Sequence, residues 1–438
     1  MRAGRLSEIS MTPSRRAFRL VCAPSEEHSV EALLRAQGYE FEPDAFLPGT
    51  RRLLAEPRPL GSSLAAFFGL IYIQDRSSML PPMALRPPRG AVVLDMCASP
   101  GSKTGQLAGM TGPEGFVLGN EPSPSRLATL RRNLHAMNLS WTASCCCAGE
   151  ALPLPDAVWE HIQLDPPCSG WGTVERNPNV RNIWKDDKIA PLIRLQRALL
   201  REACRLLRPG GVLVYSTCTT NDGENEQQLR YALDELDLEQ EKLAPPAGFE
   251  LEEGKMGFDG VWRLEPKSGD NQGFFVARLR KPCVQASAAR FPLPEETRPD
   301  EKTRFDIVPS ARLEEAGIDS DALPGPVGAF GGSLHVLPRQ AQDLLPSTLR
   351  WQGMYFGKYA RNGEIRPAPR LRVPGPLPHV DFEGAQGVEK LVGLLQGRTV
   401  EAPAPENTGA SGMALLSWNG LSLCRATLKK GRLIWSER

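Results

Sequence analysis

A chain of 438 residues is long enough for about two to four domains. Hydrophobic residues make up 41% of it and charged residues 24%, a composition typical of globular proteins. No window offers the roughly 20 consecutive apolar residues that a membrane helix needs, and the basic N-terminus lacks the apolar run of a secretory signal. We therefore expect a multidomain cytoplasmic protein without a membrane span.

The ten cysteines do not indicate a disulfide framework, because the chain is long and carries no export signal. They include no Cys-x-x-Cys pair, and the five histidines are scattered without the spacing of metal ligands. Free thiols and no bound metal are therefore expected. The formal net charge is only +1, so any surface that binds nucleic acid must be local.

The first 85 residues predict a small leading domain. They contain an apolar, helix-like stretch at Val30, Leu33 and Leu34, followed by a Pro/Gly-rich break and a second apolar segment that leads into the rest of the chain.

Residues 86–282 predict an α/β core, because short β-branched runs there alternate with helical periods. The predicted strands are Ala91–Asp95, Phe116–Asn120, Ile162–Asp165, Val212–Ser216 and Gly273–Leu279. The predicted helices are Gly101–Met110, Arg126–Met137 and Leu192–Leu207. This order of elements is typical of a parallel, Rossmann-like sheet.

The C-terminal quarter predicts a separate unit. Residues 283–325 are rich in Pro, Ala and Glu and are interpreted as a linker or adaptor, and residues 326–438 contain short apolar runs that favour a small β-rich domain. Within it, residues 350–372 carry six Lys/Arg against one acid, interleaved with Trp351, Tyr355, Phe356 and Tyr359. This pattern is typical of RNA binding, although a surface domain with an ordinary aromatic core would have a similar sequence.

A loop of small residues follows the strand Ala91–Asp95, where a doubly wound sheet binds ligands. The loop lacks Gly-x-Gly-x-x-Gly, which favours a walled pocket for a nucleoside over a dinucleotide site. The N-terminus of the next helix offers free N–H groups to a carboxylate, and Glu121 after the next strand can accept the hydroxyls of a ribose. The small residues that would line this site are Ala98, Ser99, Gly101 and Ser102.

Two cysteines are candidates for a nucleophile: Cys168 in LDPPCSG and Cys218 in VYSTCT each follow a predicted strand. Carbon 5 of a pyrimidine reacts only after a nucleophile adds to carbon 6, and a thiolate is suited to that addition. Asp165, three residues before Cys168, can contact the ring edge of cytosine. A single cysteine is more often a buried small hydrophobe, but two in equivalent loops favour catalysis. These residues alone leave open which cysteine attacks.

With DMCASPGSKT, LDPPCSG and YSTCT in this order, the chain resembles the Nop/Sun family of RNA 5-methylcytosine methyltransferases over about residues 60–282. Its layout is similar to that of the bacterial members that act on 16S ribosomal RNA. The resemblance implies a Rossmann-like core that uses S-adenosyl-L-methionine to methylate carbon 5 of cytosine. It also implies an N-terminal RNA-recognition domain over residues 1–85, a PUA-like RNA-binding domain over residues 326–438, and a monomer acting on 16S rRNA or the 30S subunit.

The resemblance implies a role for each site residue. Cys218 would be the nucleophile, Cys168 the general base or the group that releases product, and Asp165 a contact to both donor and base. Lys103 would hold the charges of the site together, and Glu121 would bind the ribose. The further cofactor contacts that it implies are Cys97, Pro100 and Ala148.

One residue departs from the family pattern. Ala148 stands where the family usually has an acid near the adenine, and either Glu150, two residues on, or a backbone carbonyl would have to replace it. Residues 175–178, after the Asp-Pro-Pro-Cys segment, are expected to face the substrate. The alternatives are a transfer RNA or 23S rRNA substrate, or a ribosome-assembly factor with weakened catalysis. The two cysteines, Asp165 and Lys103 favour the enzyme.

Overall fold

The computed structural model describes most of the chain. The described residues are 16–174, 177, 179–183, 188–266, 272–283, 305–403 and 411–435. Within these ranges no helix is both long enough and apolar enough to cross a bilayer.

The leading region is a four-stranded antiparallel sheet of order β2-β3-β1-β4 with three short helices. The strands are β1 (Ala17–Leu20), β2 (Glu40–Pro43), β3 (Thr50–Ala55) and β4 (Ile71–Ile73). The helices are α1 (Glu27–Arg35), α2 (Leu64–Phe67) and α3 (Leu80–Leu85). Val30, Leu33 and Leu34 are buried along one face of α1, which confirms the predicted helical stretch.

The core is an α/β sheet with helices on both faces, as predicted. Its strands are β5 (Val92–Asp95), β6 (Phe116–Asn120), β7 (Thr142–Cys145), β8 (Trp159–Leu164), β9 (Leu207–Thr217), β10 (Glu239–Glu241), β11 (Trp262–Leu264) and β12 (Phe274–Arg280). Its helices are α4 (Ser102–Thr111), α5 (Pro124–Ala136), α6 (Val180–Ile183), α7 (Ala190–Leu206) and α8 (Glu226–Glu235).

The sheet has a topological switch point beside β5. From β5 the chain adds β6 and β7 in parallel on one side, then returns to add β8 and β9 in parallel on the other. Parallel strands end at the same edge, so the loops after β5, β8 and β9 meet where such sheets bind ligands. Strand β12 closes this side antiparallel to β9.

The strand after α7 begins earlier than predicted. Helix α7 ends at Leu206, and β9 begins at Leu207 because Leu207 pairs with Trp159 of β8. The pairing with β8 then skips to Val212, opposite His161, so the residues between the predicted helix and the predicted strand form an irregularity within β9.

The C-terminal region is β-rich, as expected, and consists of two five-stranded sheets. The first comprises β13 (Asp306–Ile307), β14 (Val327–Phe330), β15 (Ser333–Val336), β17 (Tyr355–Tyr359) and β18 (Ile365–Pro367). The second comprises β19 (His379–Phe382), β20 (Val400–Glu401), β21 (Ser411–Trp418), β22 (Leu421–Lys429) and β23 (Arg432–Ile434). The helices are α9 (Ser310–Glu315), α10 (Arg339–Leu344) and α11 (Gly384–Leu395).

The predicted linker needs a correction. Residues 284–304 lie outside the described residues, but residues 305–325 are part of the folded C-terminal region. Strand β13 pairs with β14, and Phe305 and Val308 are buried. The C-terminal region therefore includes residues assigned to the linker, because its first sheet needs β13 as an edge strand.

The aromatic residues predicted to stack on RNA are mostly packed inside the protein. Trp351 lies in β16 (Trp351–Gly353), which extends the core sheet antiparallel to β7, and Phe356 is completely buried. The ring of Tyr355 lies against His135 and His335, and Arg312 lies over the ring of Tyr359. Of the two interpretations of residues 350–372, the structure favours the aromatic core for these rings.

The two ends of the chain share one hydrophobic core. Buried side chains of the leading sheet and its helices pack with those of β19–β23 and α11. The segment around Arg370 and Arg372 fastens this junction: Arg370 donates to the Phe67 carbonyl at 3.1 Å, and Arg372 donates to the carbonyls of Phe68 and Met137. The leading region is therefore not an independently packed domain.

The role of Arg372 can be tested by substitution. Burial lowers the pKa of Arg372 to about 10, and its guanidinium satisfies carbonyls at the junction of three regions. Arg372→Ala should lower the free energy of unfolding by about 2 kcal/mol, because those carbonyls lose their donor. Arg366→Ala, at an exposed position on β18, is the matched control and should change it by less than about 0.5 kcal/mol. If urea titrations give Arg372→Ala the same stability as the unsubstituted protein, Arg372 does not have this packing role.

Candidate active site

The candidate site lies at the switch point between β5 and β8. Asp165 follows β8 directly, Cys218 follows β9, and the small-residue loop follows β5. The structure therefore brings together the three sequence segments that carry the predicted chemistry.

Asp165 is held between two donors. Its Oδ2 accepts a hydrogen bond from Lys103 Nζ at 2.7 Å, and its Oδ1 accepts one from Ser216 Oγ at 2.8 Å. Burial acts to lower the pKa of Lys103, but the adjacent Asp165 carboxylate outweighs that effect and raises it, so Lys103 is charged. This pair places one fixed cation next to the sulfur of Cys218.

The sulfurs of Cys168 and Cys218 are 3.1 Å apart. A hydrogen bond from the Cys168 thiol lowers the pKa of Cys218 despite its burial, and the Lys103 ammonium acts in the same direction. The pKa of Cys168 is raised well above its ordinary value by that hydrogen bond, by burial and by nearby negative charge, including Glu224. The site therefore favours a thiolate on Cys218 and a proton on Cys168.

Asp95 and Thr104 fix the start of the cofactor loop. Asp95 is buried at the end of β5 and accepts a hydrogen bond from Thr104 Oγ1 at 2.7 Å. Burial raises the pKa of Asp95 to about 6. Gly101 caps α4 with φ of 104°, a left-handed conformation that suits glycine. The N–H groups of the first turn of α4 are thereby placed beside the loop.

A cavity of about 250 Å³ opens beside the two cysteines. Leu195 and Leu199 of α7 form part of its wall, and Glu121 and Glu150 are among the acids that line it. Glu121 is almost fully buried, with Ser123 N donating to its Oε1 at 2.9 Å and Arg126 3.5 Å from its Oε2. Apolar walls with a few polar groups are typical of a small-molecule site, and a buried acid here suits a ribose. These residues fit S-adenosylmethionine.

The predicted cofactor residues take different places around this cavity. Cys97, Ser99, Glu121 and Asp165 line it, and Lys103 reaches it through Asp165. The others do not line the cavity: Ala98, Pro100, Gly101, Ser102 and Ala148. Ala98 is buried, and its N–H donates to the Asn120 carbonyl at 2.9 Å, so it shapes the loop.

Several residues of the site were not singled out from the sequence. Asn120 is fully buried, donates to the carbonyls of Met96 and Cys147, and accepts from Cys147 N, so it ties together the loops after β5 and β7. Arg126, the first residue of a predicted helix, lines the cavity and faces Glu121. The only sequence signal for these contacts was that Asn120 directly precedes the predicted ribose acid.

Two further sequence predictions concern a substrate loop and the absence of a metal site. Of residues 175–178, only residue 177 belongs to the described part of the chain, so the predicted substrate loop lies largely outside the described residues. In the part of the chain that the structure describes, no cluster of three His, Cys, Asp or Glu side chains is arranged to hold a metal ion.

Comparisons with known proteins agree with the family resemblance that the motifs indicate. A family model described as 16S rRNA methyltransferase RsmB/F matches residues 82–280. Ribosomal RNA small subunit methyltransferase F of Shewanella amazonensis is 35% identical over 437 residues, covering 94% of this chain and 88% of that protein. The protein of the same name from Pectobacterium atrosepticum is 37% identical over 279 residues, and this match spans only 57% of its length.

Solved structures show the same core fold. A methyltransferase homologue from Pyrococcus horikoshii is 32% identical with a TM-score of 0.52, covering 61% of this chain and 86% of that one. NSun6 from the same organism, at 21% identity, a TM-score of 0.54 and coverage of 62% and 92%, is similar in fold. The resemblance indicated by the three motifs is thus confirmed: the chain belongs to the 16S rRNA methyltransferase RsmB/F family, whose members are S-adenosylmethionine-dependent enzymes that methylate carbon 5 of cytosine in ribosomal RNA.

Proposed function

We propose that this protein methylates carbon 5 of a cytosine in 16S rRNA through a covalent adduct on Cys218, with Cys168 as the second catalytic cysteine. The observation that carries the proposal is the 3.1 Å contact between the two sulfurs beside the Lys103–Asp165 pair. One cysteine alone would be an ordinary buried thiol, whereas two in contact at the ligand-binding edge of the sheet form a reactive pair.

The first step is the attack of the Cys218 thiolate on carbon 6. The new S–C bond displaces the electron pair of the C5=C6 double bond into the ring, which makes carbon 5 nucleophilic. Lys103 and the Cys168 thiol stabilise the thiolate before attack. Asp165, fixed by Lys103 and Ser216, is positioned to contact the ring edge of the adduct. When bound, S-adenosylmethionine would supply the methyl group that bonds to carbon 5, and its sulfonium would leave as a neutral thioether.

The second step is the release of product with the help of Cys168. The negative charge on Cys218 is one of the factors that raise the pKa of Cys168, and this charge disappears when Cys218 bonds to carbon. Cys168 then loses its own proton to the solvent more easily, and its thiolate can take the proton from carbon 5. The electron pair of that C–H bond restores the double bond and expels Cys218 as a thiolate.

RNA contacts are assigned to the exposed cations of residues 350–372. Arg350, Lys358, Arg361 and Arg366 are exposed, whereas Arg370 and Arg372 are engaged at the chain-end junction. Phosphate neutralisation by these four cations would add affinity without base specificity. The related proteins named for the small-subunit RNA support 16S rRNA, free or within the 30S subunit, as the substrate.

Three further parts of the proposal concern metal ions, cellular location and oligomeric state. A thiolate and a sulfonium methyl donor are sufficient for this chemistry, so the proposed mechanism uses no metal ion. We place the enzyme in the cytoplasm, where small-subunit RNA is assembled, and we take it to act as a monomer, since one chain supplies both cysteines, the ion pair and the cofactor cavity.

The nucleophile is tested by Cys218→Ala. Methyl transfer to 16S rRNA should fall by about 10³-fold or more, because the adduct cannot form, while cofactor affinity should stay unchanged. Cys283→Ala, at an exposed position away from the cavity, is the matched control and should keep full activity. The activity of both variants is measured by the transfer of tritiated methyl groups to the RNA. An active Cys218→Ala protein would disprove the assignment.

The second cysteine is tested by trapping. Cys168→Ala should accumulate protein joined covalently to methylated RNA, because addition proceeds and elimination does not. Denaturing gels after incubation with RNA and cofactor should show a slower band, which the double variant lacking both cysteines should not form. If the single variant gives no such band, Cys168 is not the releasing base.

The electrostatic role of Lys103 predicts a pH dependence. Activity needs the Cys218 thiolate, so kcat/KM should rise with pH through the pKa of Cys218, which lies below its ordinary value. Lys103→Met removes the cation that favours the thiolate, so half-maximal kcat/KM should move to higher pH. Lys103→Arg keeps the charge and should move it much less. An unchanged profile for Lys103→Met would show that the cation does not control the thiolate.

A further inference from the structure

We propose that Glu224 is a positioning residue for the catalytic cysteines: it joins the loops that carry Cys168 and Cys218 and keeps the shared proton on Cys168. This inference rests on the proposed function, in which the two sulfurs have different roles. Glu224 lies between Cys218 and α8, is completely buried, and does not line the cofactor cavity.

The carboxylate of Glu224 gathers three donors. Its Oε1 accepts from Ser169 N at 2.9 Å and from Gln196 Nε2 at 3.0 Å, and its Oε2 accepts from Ser169 Oγ at 2.5 Å. Gln196 also donates to the Pro167 carbonyl at 3.0 Å. Both sides of Cys168 in the sequence are therefore fixed by one buried carboxylate and its glutamine partner.

The direction of the hydrogen bonds extends this link to the second cysteine. An ionised carboxylate only accepts, so the Ser169 hydroxyl donates to Glu224. Ser169 Oγ then accepts from Thr219 Oγ1, which is 2.7 Å away. Ser169 follows Cys168 and Thr219 follows Cys218, so the chain Thr219–Ser169–Glu224 joins the residues next to the two sulfurs.

The backbone around Glu224 is also fixed. Its carbonyl accepts from Tyr215 Oη at 2.7 Å, and the neighbouring Asn225 donates to the Thr219 carbonyl at 3.0 Å and accepts from Thr217 Oγ1 at 2.5 Å. The backbone from which the Glu224 side chain extends is therefore tied to β9 and to the loop that presents Cys218.

Glu224 differs from the other buried acid nearby. Glu226 is equally buried but is paired with Arg263 at 2.7 Å, whereas no Lys or Arg pairs with Glu224 among the described residues. Among the described residues, the Glu224 carboxylate is thus held by the neutral donors of Ser169 and Gln196. Its negative charge is one of the factors that raise the pKa of Cys168.

The charge of Glu224 acts on Cys168 in the same direction as the hydrogen bond with Cys218, burial and the charge of Asp165. The charged and titratable groups that face the two sulfurs are Lys103, Asp165, Tyr215 and Glu224. Lys103 favours a negative charge on Cys218, while Glu224 disfavours one on Cys168. Glu224 thus increases the difference in pKa between Cys168 and Cys218, whose sulfurs are in direct contact.

The test measures the ionisation of Cys168 in the free protein. In the Cys218→Ala background, iodoacetamide alkylates Cys168 only as its thiolate forms, and mass spectrometry of peptides follows the rate at each pH. Glu224→Gln keeps the size and removes the charge, so the midpoint of alkylation should fall by about one pH unit. Glu226→Gln, the matched control at equal burial, should leave the midpoint unchanged.

The outcomes separate this proposal from the proposed function. A midpoint that is unmoved by Glu224→Gln, or moved equally by Glu226→Gln, overturns the role of Glu224, whatever RNA the protein methylates. If Glu224→Gln gives the predicted shift in the Cys218→Ala background but the protein with its native cysteines never methylates RNA, the proposed function is refuted instead.

A second variant keeps the proposal testable if Glu224→Gln does not fold, which thermal unfolding and cofactor binding would reveal. Ser169→Ala retains the charge and breaks the hydroxyl link between the loops. In the otherwise native protein it should lower kcat by about ten-fold while KM for S-adenosylmethionine stays the same. A native kcat for Ser169→Ala would show that the link does not position the cysteines.

Discussion

The parallel pairing of β8 between β5 and β9 is the constraint on which the site depends. Because parallel strands end at a common edge, this pairing brings the loop after Asp95, the segment beginning at Asp165 and Cys218 to one place. The residues come from segments more than 50 positions apart in the chain. The switch in strand order beside β5 also leaves room between the loops for the cofactor cavity.

The chemistry proposed for this edge depends on an unequal distribution of charge. Two thiols in contact would share a proton equally in a symmetric environment, and neither would be a committed nucleophile. Lys103 lies on the side of Cys218, and Glu224 adds a negative charge that acts on Cys168. Asp165 forms an ion pair with Lys103 and is oriented by Ser216, so its carboxylate is held in a fixed position toward the substrate in the proposed mechanism.

The C-terminal region contributes structure as well as surface. Strand β16 completes the edge of the catalytic sheet beside β7, and the second C-terminal sheet shares its core with the leading region. The basic, aromatic stretch is therefore divided. Its aromatic side chains and two of its arginines hold the regions together, and its exposed cations are the ones proposed to contact RNA.

Much of this protein was predictable from the sequence because the signals are local. The alternation of strands and helices in the core, the loop after Asp95, and both cysteines after strand ends were read correctly from periodicity and short motifs. These features depend on residues within a few positions of each other.

Tertiary structure decided what depends on residues far apart in the chain. The sequence shows Glu224 as one acid among many, and only folding places it against Ser169 and the two cysteine loops. The aromatic residues of 350–372 have the composition of an RNA surface, yet pairing of β16 with β7 buries Trp351. Residues 305–325 read as a linker because β13 is only two residues long and gains its stability from pairing with β14. Local patterns specify elements and motifs, whereas burial and long-range hydrogen bonds determine which side chains of those motifs remain free to act.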